Sequence, residues 1–418
     1  MLPKEFVEYT SELFGKERWE NYLASFEGSV PVSVRVNPFK KAQDELFPEI
    51  EKTPVPWCRN AFYLAERPNF TLDPLLHAGV YYVQEAGSMF LDEVLRQLAE
   101  GSLCSVLSKN SSLRGRGACL DLCAAPGGKS TLLRAALPDD CLLYSNEPDR
   151  RRANILMENI QKQGHPNVIV TNNYAIDYQR AGLDFDLIVC DVPCSGEGMF
   201  RKDYGAIGEW SLQNVMACAA LQRSIIEDIW PCLNEGGVLV YSTCTFNLHE
   251  DEENVKWICE TLGAEIIPIE ISEEWNITGS LLDGFAGPVY RFIPGTTKGE
   301  GLFMAVLIKT SEKQHLKAKG TLRIMSDGHP VGIQKGKNII PAHAEALLVN
   351  LPRDKYPFAE LTKEDALKYL HHEAIVLDAD VPKGIVVVAY QGHPLGFVKN
   401  IGNRANNLYP QEWKIRNL

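Results

Sequence analysis

No stretch of the 418 residues approaches the ~18 consecutive apolar residues that a membrane-spanning helix requires. The opening Met1-Leu2-Pro3-Lys4-Glu5-Phe6 lacks the apolar core of a signal peptide, so export is not expected and a cytoplasmic location is. Eleven cysteines are present, yet there is no C-x-x-C pair and no Cys/His cluster at zinc spacing. A disulfide framework and a metal site are therefore not expected, and the thiols should stay reduced. Cys119, Cys141, Cys190 and Cys259 fall in apolar runs and read as small core residues. Positive charge is also lacking. A formal net charge of −12 argues against a generic nucleic-acid coat, although it leaves room for a local basic groove. The dinucleotide fingerprint G-x-G-x-x-G is absent, which counts against NAD. Gly128-Lys129-Ser130 matches the end of a P-loop, but the position that must hold the motif's first glycine is Cys123. That counts against ATP and GTP.

What is present reads as a soluble chain of two or three domains, with 45% hydrophobic and 23% charged residues. Residues 1–75 mix helix and proline-rich turns: a helix begins near Leu2-Pro3, Val32-Ser33-Val34-Arg35-Val36-Asn37 alternates as a strand, and 48–56 reads as loop. Residues 76–310 read as the core, in which a Ser/Gly-rich loop at 101–117 is followed from Gly117 by a regular αβ alternation. Residues 311–320 read as a linker, and the remainder to 418 as a small strand-rich domain with a hairpin turning at 391–394. The fold class expected is α/β: a Rossmann-like core, a small N-terminal α+β domain and a C-terminal strand-rich appendage.

Two strand ends dominate the core. Phe185-Asp186-Leu187-Ile188-Val189-Cys190 runs into Asp191-Val192-Pro193-Cys194-Ser195-Gly196, and Gly237-Val238-Leu239-Val240-Tyr241-Ser242 runs into Thr243-Cys244-Thr245. In open α/β sheets ligands sit at the carboxyl ends of strands, so two cysteines placed there can face one pocket. Upstream, the strand Ala118–Cys123 meets Ala124-Ala125-Pro126-Gly127-Gly128-Lys129, a glycine turn that lets a ligand approach backbone and helix amides, with a helix read from Thr131. Glu147 follows about 20 residues later, where an acid accepts hydrogen bonds from ribose hydroxyls. It could instead merely cap the helix after Pro148. The glycine turn, Glu147 and Asp191 without phosphate machinery point to an adenosine-bearing ligand, with S-adenosylmethionine as the best candidate.

These stretches, with Asn146-Glu147 and Arg152, resemble the Nop/Sun family of RNA cytosine-5 methyltransferases. Ser33–Asn37 and Tyr82-Val83-Gln84-Glu85 resemble that family's upstream elements. Leu395-Gly396-Phe397-Val398-Lys399 and Asn407-Leu408-Tyr409-Pro410 resemble the PUA-like tail of its bacterial ribosomal-RNA (RsmF-like) branch. The resemblance covers nearly the whole chain. It implies a methyltransferase core that binds S-adenosylmethionine through Cys123, Ala124, Ala125, Pro126, Gly127, Gly128, Lys129, Glu147, Arg152, Asn173 and Asp191. It also implies RNA-binding flanking domains, a monomer, and a 16S ribosomal RNA or small-subunit partner. Two departures stand out. Tyr174 occupies the place where many relatives carry an aspartate on the adenine side, leaving that contact to backbone or Asn173, and Phe292-Ile293-Pro294-Gly295 lacks a histidine relatives often have.

Carbon-5 of cytosine is too electron-poor to accept a methyl group unaided, and a thiolate adding to carbon-6 makes it nucleophilic. Asp191 can hydrogen-bond nitrogen-3 and the exocyclic amine. A base must then remove the carbon-5 proton. The resemblance implies attack by Cys244 and assistance in release by Cys194. The residues alone allow either order, since DNA cytosine methyltransferases attack with the cysteine of a Pro-Cys pair. A tRNA substrate also stays open. A non-catalytic RNA-binding ribosome-assembly protein is the third reading, against which the intact Asp191, Cys194 and Cys244 argue. His249-Glu250-Asp251-Glu252-Glu253-Asn254 reads as an exposed, dipole-favourable helix start and not a metal site. Residues 311–418 hold 15 Lys and Arg against 11 Asp and Glu, so the chain's basic excess lies there. Lys399, Arg404, Lys414 and Arg416 near Tyr409 and Trp413 suit RNA contacts.

Overall fold

Helix Lys4–Ala24 opens the chain and breaks at Gly15, whose φ of 70° is left-handed. It buries Phe6, Phe14 and Tyr22 against Phe200, Trp210 and Phe246 of the central domain. The computed structural model describes residues 2–40, 46–101, 118–314, 316–335 and 338–416. Apart from Gly101, the loop expected at 101–117 lies outside the described residues.

The N-terminal sheet has the order β2-β3-β1-β4, with β1 at Val32–Val36, β2 at Lys52–Pro54, β3 at Ala61–Leu64 and β4 at Tyr81–Val83. β2 falls inside the segment read as loop. It is an edge strand, where a proline such as Pro54 is tolerated because no ladder donor is needed on the open side.

The central sheet is built on five parallel strands: β5 (Ala118–Asp121), β6 (Leu142–Asn146), β7 (Val168–Thr171), β8 (Phe185–Asp191) and β9 (Leu233–Thr243). Three antiparallel strands, β10 (Ala264–Ile266), β11 (Tyr290–Phe292) and β12 (Leu302–Lys309), extend it beyond β9. β13 (Ile324–Ser326) closes the other edge against β7, so the chain after residue 310 first returns to the core. The order is β10-β12-β9-β8-β5-β6-β7-β13. Because β5 lies between β6 and β8, the winding reverses there, and the crevice at its carboxyl end is where such sheets take ligands. Successive residues serve opposite faces, as pleating requires: Leu187 and Val189 join one apolar cluster, Ile188 and Cys190 the other. Cys119 and Cys141 are also buried, as expected, whereas Cys259 is only half-buried.

β14 (Ile333–Lys335) and β15 (Asn338–Ile340) pair with each other. The C-terminal sheet follows in the order β16-β17-β18-β19, from Phe358–Glu360, Gly384–Tyr390, His393–Asn400 and Ala405–Asn407. Its hairpin turns at 391–392. This domain does not hang free. Val34, Phe70, Val80 and Tyr81 share one apolar cluster with Tyr369, Leu370, Val386, Leu395 and Val398, so the N- and C-terminal domains have a common core.

One correction concerns the acidic stretch after Cys244. Glu250, Asp251 and Glu252 are fully buried, not exposed. The cause is Arg291 on β11. Its guanidinium donates to both Glu252 oxygens at 2.7 Å and to Asp251 Oδ2 at 3.0 Å. Thr243 Oγ1 donates to the other Asp251 oxygen at 2.6 Å. Replacing Arg291 with Met strands two buried carboxylates and should destabilise the chain by about 3–5 kcal/mol. Urea denaturation followed by tryptophan fluorescence would measure it, and a loss under about 1 kcal/mol would mean that the acids find other partners.

Candidate active site

β5 ends at Asp121, which is fully buried and accepts a 2.6 Å bond from Ser130 Oγ. Burial, opposed by that bond, pushes its carboxyl up to about 7. The chain then turns through a cis Ala125–Pro126 peptide to Gly127, whose φ of 119° suits glycine. A Cβ at Gly127 would also lie 3.3 Å from the Leu156 side chain. This residue lets the helix begin at Gly128, three residues earlier than the sequence indicated. Arg35 of the N-terminal sheet supports the turn from outside. Buried, it donates to Gln84 Oε1 at 2.9 Å, to Thr131 Oγ1 at 2.6 Å and to the Gly128 carbonyl at 3.2 Å. Asn159 and Arg152 donate to the Pro126 and Ala125 carbonyls at 2.8 and 3.0 Å.

At the end of β6, Asn146 ties three strands together, donating to the Leu122 and Asn173 carbonyls at 3.0 and 2.9 Å. Glu147 is 1% exposed, and burial raises its carboxyl. One oxygen accepts from the Asp149 amide at 3.0 Å, while Oε2 has no hydrogen-bond partner among the described residues and lies 3.5 Å from the Arg152 guanidinium. A buried carboxylate oxygen left short of donors fits the hydroxyls of a ribose. Asn173 is placed nearby, but its amide is engaged with the backbone of Arg323, at 3.2 Å as donor and 2.9 Å as acceptor. Tyr174 is 71% exposed at the start of helix Ala175–Ala181.

The adjacent parallel strands β8 and β9 put Asp191 opposite Ser242. Asp191 accepts from Ser242 Oγ and pairs with Lys129 Nζ, both at 2.8 Å. Burial works against the charge on Lys129, but Asp191 outweighs it, with Asp121 and Cys244 adding, and the ammonium is held above its ordinary range. The sulfurs of Cys194 and Cys244 stand 3.0 Å apart as free thiols. Contact with Cys244 and burial raise the Cys194 thiol well above its usual value. The structure therefore gathers Lys129, Asp191, Cys194 and Cys244 at one edge, with the glycine turn one strand away on β5.

Reading the sequence missed what aligns the two cysteines. Glu250 accepts from the Ser195 amide at 3.0 Å, Gln222 Nε2 at 2.7 Å and Asn247 Nδ2 at 2.8 Å. Burial nevertheless pushes its carboxyl up to about 7. Glu197 accepts from the Phe246 amide at 2.7 Å, from Trp210 Nε1 at 2.9 Å and from Asn247 Nδ2 at 3.2 Å. The Gly198 amide donates to the Cys244 carbonyl at 2.9 Å. Gly198 must be glycine, because a Cβ there would sit 2.6 Å from Gly301 Cα. A signal was available: Glu197 and Asn247 each follow a cysteine by three residues, a reciprocal spacing that suits two crossed loops.

Residues 112–308 match the family described as 16S rRNA methyltransferase RsmB/F. Residues 2–86 match the N-terminal domain of 16S rRNA methyltransferase RsmF, and 357–415 the methyltransferase RsmF PUA domain. Among curated relatives, ribosomal RNA small subunit methyltransferase F of Enterobacter sp. (strain 638) is 28% identical, covering 98% of this chain and 95% of its own. That of Photobacterium profundum is 27% identical, covering 98% and 97%. Of solved structures, a methyltransferase homologue from Pyrococcus horikoshii shares the fold at a TM-score of 0.57 and 24% identity, over 74% of this chain and 100% of that one. NSun6 from Pyrococcus horikoshii, solved with SFG, an S-adenosylmethionine analogue, does so at 0.59 and 22%, over 74% and 99%. The core is thus a Rossmann-like methyltransferase domain carrying an N-terminal domain and a C-terminal PUA domain. With all three parts matched in order, the chain belongs to the RsmB/F family of 16S rRNA methyltransferases.

Proposed function

We propose that this chain methylates carbon-5 of a cytosine in 16S ribosomal RNA, with S-adenosylmethionine as donor and Cys244 as a covalent nucleophile. The observation that carries this reading is the 3.0 Å pair of free thiols beside the Asp191–Lys129 ion pair. The core, residues 76–310, does the chemistry, and 1–75 and 311–418 supply RNA contacts. A cytoplasmic monomer suffices. Its family's 16S rRNA designation favours ribosomal over transfer RNA.

Residues 123–129, Glu147, Arg152 and Asp191 would hold the cofactor, with the short-of-donors oxygen of Glu147 taking the ribose. Asn173 is committed elsewhere, its side chain to Arg323 and its backbone amide and carbonyl to the Asn146 side chain. When bound, the cofactor supplies an electrophilic methyl group. Everything else falls to the protein. Cys244, as thiolate, is the residue assigned to add to carbon-6, and Cys194, whose thiol is raised by contact with Cys244 and by burial, is left for the later step. Asp191, ionised beside Lys129, accepts from the exocyclic amine, and Lys129 sets a fixed positive charge where the ring gains negative charge at nitrogen-3. Once Cys244 is a neutral thioether, the charge that held the Cys194 proton is gone. Cys194 then releases that proton to water, takes the carbon-5 proton after methylation, and the carbon-6–sulfur bond breaks to restore Cys244.

The cysteine assignment has a direct readout. Cys244→Ala should transfer no methyl group. Cys194→Ala should attack and methylate but stall before release, giving a slower, nuclease-sensitive band on a denaturing gel. The opposite pattern would exchange the roles. Calorimetric titration tests the cofactor: S-adenosylmethionine should bind and ATP should not. Glu147→Ala should lose about 1.5–3 kcal/mol, roughly tenfold or more in Kd. ATP binding without S-adenosylmethionine binding would overturn the reading.

A further inference from the structure

Tyr409, which the sequence offered as an RNA-stacking aromatic, is 2% exposed and lies in the core shared by the N- and C-terminal domains. Lys399, Arg404, Lys414 and Arg416 are exposed, and Trp413 is half-buried. Where the same two domains meet, a cleft of about 440 Å³ is lined by Phe39 and Lys40 from one side and Arg353, Tyr356, Phe358 and His393 from the other. None of these residues belongs to the methyl-transfer site.

We propose that this interdomain cleft is a subsite for one unpaired nucleotide of the RNA, its base against the aromatic side chains and its phosphate near Arg353. The inference rests on the RNA reading above and adds a place where the strand is gripped away from the reacting base.

Three observations point to a nucleotide. The aromatic rings supply the flat apolar faces on which unstacked bases pack. The Arg353 guanidinium lies 5.4 Å from the Phe358 ring centre, so cation and aromatic face are presented together. Burial, with Lys40 and Arg353 adding, lowers the His393 imidazole from its ordinary range, so it too presents an uncharged ring. On a chain whose net charge is −12, the exposed guanidinium of Arg353 at the cleft favours an anionic partner. Nearby acids are already engaged. Glu345 pairs with Lys355 at 2.6 Å and accepts from Tyr356 at 3.0 Å, and Glu360 accepts from the Gly392 amide at 3.2 Å. The volume falls within the usual range for small-ligand sites, roughly 300–1,000 Å³.

The walls are also fixed relative to the core. Lys40 Nζ donates to the carbonyls of Ala78 and Lys162, both at 2.6 Å, and the Val349 amide donates to the Gly164 carbonyl at 3.0 Å. Both sides of the cleft are therefore anchored at the end of helix Arg150–Gln163, whose other end begins beside Glu147. A nucleotide held here keeps a set distance from the methyl site.

The test uses the full chain and a labelled short single-stranded oligoribonucleotide, read by fluorescence anisotropy at several salt concentrations. Phe358→Ala should weaken binding about tenfold, the low to middle range for one base–aromatic contact. Phe358→Leu keeps apolar packing, removes the ring, and should weaken binding in the same direction. Arg353→Glu should weaken it and lower the salt slope by about one. S-adenosylmethionine affinity and kcat at saturating RNA should not change, because neither residue touches the reacting groups. If all three variants bind RNA within about twofold of the unaltered chain, the subsite is wrong even in a chain that methylates RNA. An unaltered chain with no affinity for RNA would overturn the subsite and the parent reading together.

Discussion

The parallel pairing of β8 with β9 is the constraint on which the site depends. Asp191 faces Ser242 across that ladder, and each strand passes its next residues into a loop that must cross the other. The crossing is held by backbone, with Val192 donating to Ser242 at 3.0 Å and Gly198 to Cys244 at 2.9 Å. Two buried carboxylates, Glu197 and Glu250, then take amide and side-chain donors from both loops. A buried acid with a full set of donors is tolerated, whereas one missing partner would be costly. The loops consequently have one arrangement, and it holds two thiols in contact.

That contact makes the cysteines unequal. Two thiols 3.0 Å apart cannot both ionise readily, so one proton is retained between them. Contact with Cys244 and burial both raise the Cys194 thiol. In the proposed mechanism this difference of environment would separate the nucleophile from the later base, although the residues are the same type. The N-terminal domain reaches the same site through Arg35, whose guanidinium bonds to the glycine turn, while Lys40, whose ammonium is pushed down to about 7 by burial, ties it to the end of helix Arg150–Gln163. The N-terminal domain is in this way tied to the loop that would hold the cofactor.

Much of this was legible before the structure. The parallel strands are continuous apolar runs, so their order and ends could be read, and with them the positions of Asp191, Cys194, Cys244 and the glycine turn. What could not be read depended on partners distant in the chain. The run at 249–254 looks like a solvated helix start until Arg291, some 40 residues later, is seen to lie among its carboxylates. Tyr409 looks like a surface aromatic because basic residues surround it in sequence, while its packing partners Tyr369 and His343 are remote. β13 is three residues long and carries no periodicity, so only pairing with β7 reveals it. Asn173 has the right residue type for ligand contact, and only its bonds to Arg323 show that its amide is already taken.

The central claim is that Cys244, and not Cys194, bonds to the target base. RNA carrying 5-fluorocytosine tests it in the unaltered protein, because fluorine at carbon-5 cannot be removed as a proton and the adduct should persist after methylation. Incubation with S-adenosylmethionine, digestion and peptide mass spectrometry would locate the nucleotide. The account predicts it on the peptide containing Cys244, with Cys194 free and open to alkylation. An adduct on Cys194 would contradict it.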